Sequence, residues 1–218
     1  MKKLLLTIVL FSASTTVIAQ ERFRYKENFD SNTLEWTETA HKTSVGTAII
    51  DYGQLTVKSQ GVKVGLALLT GNASDIKAAT FFETHCYAPI DVMKPFEIHS
   101  RVCLERRGSL IPTETLVGLI FNYRDNGNFY CFSFNSEFVT FRRYVDGKIV
   151  GEVSQAMNTQ NCGEIMKWSL YSDGSTLTFK VDDISMLNVR YMPLQYTGFG
   201  YYTFGAQTLY VDWVEFIQ

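Results

Sequence analysis

The stretch Leu116–Gly147, LVGLIFNYRDNGNFYCFSFNSEFVTFRRYVDG, holds three alternating runs joined by two-residue turns. Turns that short nearly fix which residues face each other, because a slip of one position would send every side chain to the wrong face. The Asn126–Gly127 turn sets Asp125 opposite Asn128. Counting outward predicts Tyr123 with Tyr130, Phe121 with Phe132 and Leu119 with Phe134 on one face. The other face then pairs Arg124 with Phe129, Asn122 with Cys131, Ile120 with Ser133 and Gly118 with Asn135. A second turn at Ser136 and Glu137 predicts Phe134 with Val139 and Phe132 with Phe141, and, on the reverse side, Cys131 with Arg142 and Phe129 with Tyr144.

The rest of the chain reads the same way. YGQLTVKS, VGLALLT, ATFFETHCYA, FEIHSRVCLER, MKWSLYSDG, TLTFKVDD, TGFGYYTF and TLYVDWVEF carry β-branched and aromatic residues at period two, with Gly, Asn and Asp turns between them. No helical periodicity of useful length, internal repeat or low-complexity linker interrupts them. With 14% aromatic residues, the pattern predicts an all-β fold, an antiparallel β-sandwich, built as one domain over residues 20–218. Trp36 and Trp168 sit within apolar alternation and are predicted to be buried. Trp213 has neighbours that can claim the core face and leave its ring outward.

The opening residues MKKLLLTIVLFSASTTVIAQ combine a basic start, a short apolar run and small residues ending at Ala19, the pattern of a secretory signal peptide over residues 1–19. Ser12, Ser14, Thr15 and Thr16 make the run too short to span a bilayer, so the expectation is an exported chain, periplasmic or extracellular, with no membrane insertion after cleavage. Removing Lys2 and Lys3 leaves 18 basic against 22 acidic residues, and this mild acidity without a run of basic residues argues against a nucleic-acid or anionic-membrane partner. Cys86, Cys103, Cys131 and Cys162 permit two disulfides in three connectivities, or free thiols.

On the strand before the central meander, Phe96, Ile98, Val102 and Leu104 form an apolar face, and Glu97, His99, Arg101, Cys103 and Glu105 the other. If this strand lies beside the meander, His99 meets Asn122 and Glu97 meets Arg124. Two polar rows then cross one sheet: His99, Asn122, Cys131, Arg142 and Glu97, Arg124, Phe129, Tyr144. Rings that stack on apolar C–H faces and forked donors that grip hydroxyls suit a sugar, which makes His99, Asn122, Arg124, Phe129, Arg142 and Tyr144 the candidate ligand-binding set. The bland alternative is a solvated sheet face held by ion pairs. The same placement separates Cys103 from Cys131 by an intervening strand, about 10 Å, too far for a disulfide, and leaves Cys86 or Cys162 for any bridge. Both ends of the domain read as strands, and their adjacency would bring Glu27 or Asp30 near Asp212, a set that could hold a structural calcium.

ENFDSNTLEW, GLIFNYRDNGNFYCFSF, RRYVDGKIVGEV, MKWSLYSDGSTLTFKVDD and TGFGYYTFGAQTLYVDWVEF together resemble the concanavalin A-like lectin/glucanase superfamily, nearest to exported laminin G-like and 3-keto-disaccharide-hydrolase-like jelly rolls. The resemblance implies a jelly roll that binds or cleaves carbohydrate on one sheet, or serves as an adhesion module. The Glu-x-Asp-x-x-Glu triplet of the glucanase branch is missing, and Asp212 and Glu215, three apart, are expected on opposite faces of a strand. Hydrolysis of a glycosidic bond needs two carboxyl groups facing one cleft at about 5–9 Å. His41, His85 and His99 lack metal-ligand spacing, and no nucleophile elbow, phosphate loop or dinucleotide fingerprint occurs. The sequence therefore predicts an exported, noncatalytic carbohydrate-binding β-sandwich, with a hydrolase or a structural module of the same fold as alternatives. Gly198 and Gly200, between strand-like residues, are expected at a bulge or a close backbone approach.

Overall fold

A computed structural model of the chain describes residues 22–38, 46–59, 81–106, 116–135, 137–157 and 163–218. The signal segment 1–19, the run VGLALLT, the loop 107–112 and Cys162 lie outside the described residues.

In chain order the strands are β1 (Arg24–Glu27), β2 (Gly46–Asp51), β3 (Gln54–Ser59), β4 (Phe81–Tyr87), β5 (Phe96–Arg106), β6 (Leu116–Asp125), β7 (Asn128–Phe134), β8 (Phe138–Val145), β9 (Lys148–Ala156), β10 (Ile165–Ser172), β11 (Thr176–Val181), β12 (Ile184–Arg190), β13 (Gly198–Phe204) and β14 (Gln207–Ile217). They form two antiparallel sheets. One runs β12-β11-β10-β5-β14-β3-β2, with β1 also on β14; the other runs β4-β13-β6-β7-β8-β9. Eleven-residue β14 is long enough to serve two partners along one edge, β3 against Thr208–Val211 and β1 against Val214–Ile217. The first and last described strands therefore pair, as the sequence suggests.

The inward faces enclose an aromatic core. Phe134 meets Trp168 edge-on at 4.7 Å and Phe132 stacks on Phe179 at 5.2 Å, each a contact between the two sheets. At the other end of the sandwich Trp36 stacks on Tyr201 at 5.6 Å. Such pairs add about 0.5–1.5 kcal/mol each beyond the area they bury. Trp36 and Trp168 are both buried, and the Tyr201 hydroxyl bonds Ser100 Oγ across the sheets at 2.5 Å.

Two expectations need correction. Strand β5 does not flank the meander: it lies between β10 and β14 in the other sheet, and β13 is the strand beside β6. Its division into apolar and polar faces holds, but His99 faces Ser169 and Glu215, and Glu97 faces Tyr171 and Ile217, so neither meets Asn122 or Arg124. Cys103 and Cys131 thus sit in different sheets, and Cys86 and Cys131 are buried free thiols.

The second correction is a bulge in β6. Asp125 does face Asn128, but the register then shifts, giving Phe121 with Tyr130, Ile120 with Cys131 and Leu119 with Phe132. Asn122, at φ 45°, takes a left-handed backbone that asparagine tolerates better than most residues, and absorbs the extra length. Residues up to Phe121 keep their expected face, whereas Tyr123 is turned to the outward side. The second hairpin follows the predicted register without change, from Phe134 with Val139 to Phe129 with Tyr144.

Candidate functional site

The order β4-β13-β6-β7-β8-β9 brings three outward rows together. The first reads Tyr87, Gly198, Tyr123, Phe129, Tyr144, Ile149, with Tyr123 and Phe129 adjoining by their rings across the β6 bulge. The second reads His85, Gly200, Ile120, Cys131, Arg142, Glu152, and the third Glu83, Tyr202, Gly118, Ser133, Thr140, Ser154. Alternation in Glu83-Thr84-His85-Cys86-Tyr87 sends Thr84 and Cys86 inward and the three larger polar groups outward.

Five rings form a continuous ladder across this face. Tyr87 meets His85 edge-on at 6.4 Å, His85 lies 4.2 Å from Tyr123, Tyr123 lies 6.0 Å from Phe129, and Phe129 stacks on Tyr144 at 4.5 Å. Beneath it Ile120, Cys131 and Tyr202 complete a small apolar cluster separate from the main core. Glycine is required in this floor: a Cβ on Gly118 would strike the Phe132 carbonyl, and one on Gly200 the Thr84 carbonyl. Neighbouring backbone fills the place a side chain would take at both, and the middle of this face is itself buried: Ile120, Ser133, Cys131, Tyr202, Phe129 and Tyr123 are each 7% exposed or less, whereas Tyr87 stands out to solvent.

Polar groups stand at both ends of the ladder. At the β8–β9 end, Arg142 Nε donates to Glu152 Oε2 at 2.7 Å. Burial pushes the Tyr144 hydroxyl upward, with the Cys131 thiol adding to it, and burial pushes Cys131 to about 12. At the β4 end, Tyr123 Oη lies 2.9 Å from Glu83 Oε1 and 2.5 Å from Asn126 Oδ1. His85 Nδ1 is 3.2 Å from Thr37 Oγ1 and 4.0 Å from Glu83 Oε1. Burial raises Glu83, with the Tyr123 hydrogen bond opposing, and burial lowers His85. Burial also raises Tyr123, followed by the Glu83 charge.

Of the sequence-predicted ligand residues, Phe129, Arg142 and Tyr144 are together on this face. Arg124 stands at its margin, paired with Asp125 at 3.6 Å and lying over the Tyr196 ring at 5.5 Å. Asn122 is buried and its amide is spent on the segment after β12: Nδ2 donates to the carbonyls of Leu194 and Tyr196, and Oδ1 accepts from Leu194 N. His99 is on the opposite sheet, with Nδ1 2.8 Å from Ser169 Oγ and Nε2 3.3 Å from Glu97 Oε2. Glu83, His85, Tyr87 and Tyr123 were missed. The period of ETHCY already placed the first three on one face; what the sequence does not carry is that β13 joins this strand to the meander.

The calcium set does not assemble. Asp30 lies against Gly53 and Asp212 against Gln54, so both border the β2–β3 turn. Asp212 Oδ1, however, accepts from Gln54 Nε2 at 2.7 Å, and Oδ2 faces Arg101 Nε at 3.4 Å. A carboxylate already gripped by a guanidinium and an amide N–H does not fit a cation site, and the described residues contain no cluster of three His, Cys, Asp or Glu side chains suited to a metal. A bulge between Val211 and Trp213 also overturns the expected opposition of Asp212 and Glu215: Asp212 reaches outward to Arg101, and Glu215 reaches outward to Arg24 at 3.5 Å. Each is tied to an arginine.

A cleft of about 570 Å³ opens at one end of the eight-stranded sheet, lined in part by Arg22, Phe23, Lys94, Glu97, Tyr171 and Gln218. Its charges are mutually engaged, Arg22 with Glu97 at 3.1 Å and Lys94 with Asp91 at 3.3 Å, which leaves fewer groups for a ligand than the aromatic face offers.

No protein-family model and no curated protein sequence matches the chain. Among solved structures, the carbohydrate-binding module CBM66 from Bacillus subtilis superposes with TM-score 0.53 at 13% identity, covering 80% of this chain and 91% of that one. The Bacillus licheniformis β-glucanase gives TM-score 0.58 at 9% identity over 88% and 97% of the two chains. The Emp46p carbohydrate recognition domain gives 0.58 at 9% over 87% and 93%. The chain therefore has the concanavalin A-like jelly-roll fold, as its strand pattern implies.

Proposed function

We propose that the outward face of the six-stranded sheet binds glycan without cleaving it. The observation that carries this reading is the ladder of Tyr87, His85, Tyr123, Phe129 and Tyr144 running across the face, in which Tyr87 is exposed, His85 and Tyr144 are half-buried, and Tyr123 and Phe129 are buried. Rings with hydroxyl and imidazole edges offer stacking surface and hydrogen bonds to the same sugar, and Arg142, Glu152, Glu83 and Asn126 add forked polar contacts at either end. That solved neighbours include a carbohydrate-binding module and a carbohydrate recognition domain is consistent with this use of the fold. Hydrolysis would need a second carboxyl close to Glu83. Glu152, the other glutamate in the rows, stands five strands away, about 24 Å at normal strand spacing, and is bonded to Arg142, while Asp125 at the end of β6 accepts from Gly127 N and Asn128 Nδ2 and faces Arg124.

The direct test is retention on a panel of insoluble polysaccharides and glycan arrays. The double variant Arg142→Ala, Tyr144→Ala is expected to weaken retention at least tenfold, and Arg101→Ala, on the other sheet, to leave it unchanged. Retention that survives the double change places the site elsewhere. Release of reducing sugar by the purified chain would turn the reading into that of a hydrolase. We further infer export from residues 1–19, which N-terminal sequencing checks by a mature chain beginning at Gln20.

A further inference from the structure

The β4 end of the aromatic ladder contains a proton-count problem. Tyr123 has one hydroxyl proton, yet its oxygen stands 2.9 Å from Glu83 Oε1 and 2.5 Å from Asn126 Oδ1, an amide oxygen that can only accept. One hydroxyl cannot donate to both in the same instant. If Tyr123 donates along the shorter contact to Asn126, the Glu83 contact is attractive only when Glu83 brings a proton of its own.

The surroundings favour that proton. Glu83 is one of the less exposed carboxylates, with 18% of its side chain accessible, and it sits opposite Tyr202 in the β4–β13 ladder. Among the described residues no lysine or arginine forms an ion pair with it; its one basic neighbour is His85, 4.0 Å away, which burial keeps towards its neutral form. Among the described residues, the other titratable groups around this cluster are Tyr87 on β4, Tyr202 on β13, and Tyr123 and Asp125 at the end of β6, none of which can offset a carboxylate charge. By contrast Glu152, at the far end of the same face, has Arg142 bonded to it.

We propose that Glu83 is a neutral carboxylic acid in the folded protein, donating to Tyr123 while Tyr123 donates to Asn126, and that loss of this proton to solvent rewires the chain and shifts the Asn126–Gly127 hairpin tip. Once Glu83 is ionised, the Tyr123 proton turns to the carboxylate and the Asn126 carbonyl loses its donor. The hairpin tip stands at the rim of the aromatic face, so the site is set by pH: its ordered form is the low-pH form. The consequence for ligands rests on the glycan-binding reading; the proton itself does not. Burial raising Glu83 from its ordinary value, against the opposing Tyr123 hydrogen bond, agrees in direction.

The test needs no ligand. In protein carrying ¹³C-labelled glutamate, the Glu83 side-chain carbonyl, assigned by its loss in Glu83→Gln, is followed by NMR from pH 3 to 9. A midpoint at least one unit above the ~4.3 of an ordinary glutamate, with the Asn126 side-chain amide shifting at the same midpoint and unshifting in Glu83→Gln, is the expected result. A midpoint at or below ~4.3 overturns the proposal, and means that the Asn126 amide is turned about so that Nδ2 donates to Tyr123. A raised midpoint that Asn126 does not follow overturns the coupling to the hairpin. Should no glycan bind at all, the proposed function fails while the titration still decides the proton.

Discussion

The two outward faces of this sandwich use the same alternation of strand residues to opposite ends. The face of the eight-stranded sheet is a set of closed ion pairs: Arg22 with Glu97, Arg24 with Glu215, Arg101 with Asp212, and Lys167 with Asp183. Even Trp213, turned outward as the sequence allows, is capped by Lys26 at 4.7 Å. The face of the six-stranded sheet carries one strong pair, Arg142 with Glu152, and otherwise places rings over a glycine-containing floor. A charged face satisfied within itself keeps the sheet soluble and has little left to offer. The aromatic face is largely covered, its central Tyr123, Phe129 and Tyr202 being buried, so what it offers is concentrated in its exposed and half-buried margin of Tyr87, His85, Tyr144 and Arg142.

That contrast can be broken most severely at the floor. Gly200→Ala puts a methyl group into the Thr84 carbonyl with His85 Cα 2.8 Å away, so β4 must separate from β13; a loss of about 3 kcal/mol or more in urea unfolding is expected, or no folded protein at all. Gly151→Ala on β9 is the control, since its nearest atom, Arg143 Cβ, is 4.0 Å away and the change is expected to cost little. A tolerated Gly200→Ala would mean that β4 is not held against β13 as described, and the ladder would lose its first two rings.

The next effect is expected at the bulge. Asn122→Ala removes three hydrogen bonds and leaves the carbonyls of Leu194 and Tyr196 without their donor; the expected cost is about 2–3 kcal/mol, read as a lower urea midpoint with unchanged slope. Arg124→Ala, beside it in the chain but exposed and paired only with its neighbour Asp125 and the Tyr196 ring, is expected to change stability by less than about 1 kcal/mol. Equal effects would show that Asn122 is the surface ligand residue its sequence position suggests and not a pin for the segment after β12.

These two neighbours also show how far the sequence could be followed. Alternation and turn length set the β7–β8 register completely, because every residue from Phe129 to Tyr144 keeps the two-residue period. They failed in β6, where a bulge around an asparagine in a left-handed conformation shifts the register against β7 by two residues and turns Tyr123 outward; nothing in LIFNYRD marks that position, since the choice depends on carbonyls more than seventy residues away. Strand faces were legible throughout β5 and β4, but strand order was not. A period of two says which side a residue faces and is silent on which sheet it joins, so His99 was placed beside Asn122 and the true neighbours Glu83 and His85 were missed. The ligand face could be half recognised from the meander because Phe129, Arg142 and Tyr144 are adjacent by short turns, whereas β4 and β13 arrive from long range.

The smallest effects belong to the charged face and to the two histidines. Arg101→Ala is expected to cost about 0–1 kcal/mol, shrinking further in 1 M salt, as for other partly exposed pairs. Burial lowers both His85 and His99 in the folded chain, so each supplies stability above the unfolded value of about 6.5 that is lost as the pH falls through the folded value. At His99, Lys167 adds to the effect of burial while Glu97 and Glu215 oppose it; at His85 burial acts alone. His85→Gln and His99→Gln are each expected to flatten the fall in stability between pH 7.5 and 5, read as urea midpoints across that range. A profile that His85→Gln leaves unchanged would show that burial at the β4 end of the aromatic ladder does not hold His85 below its unfolded value.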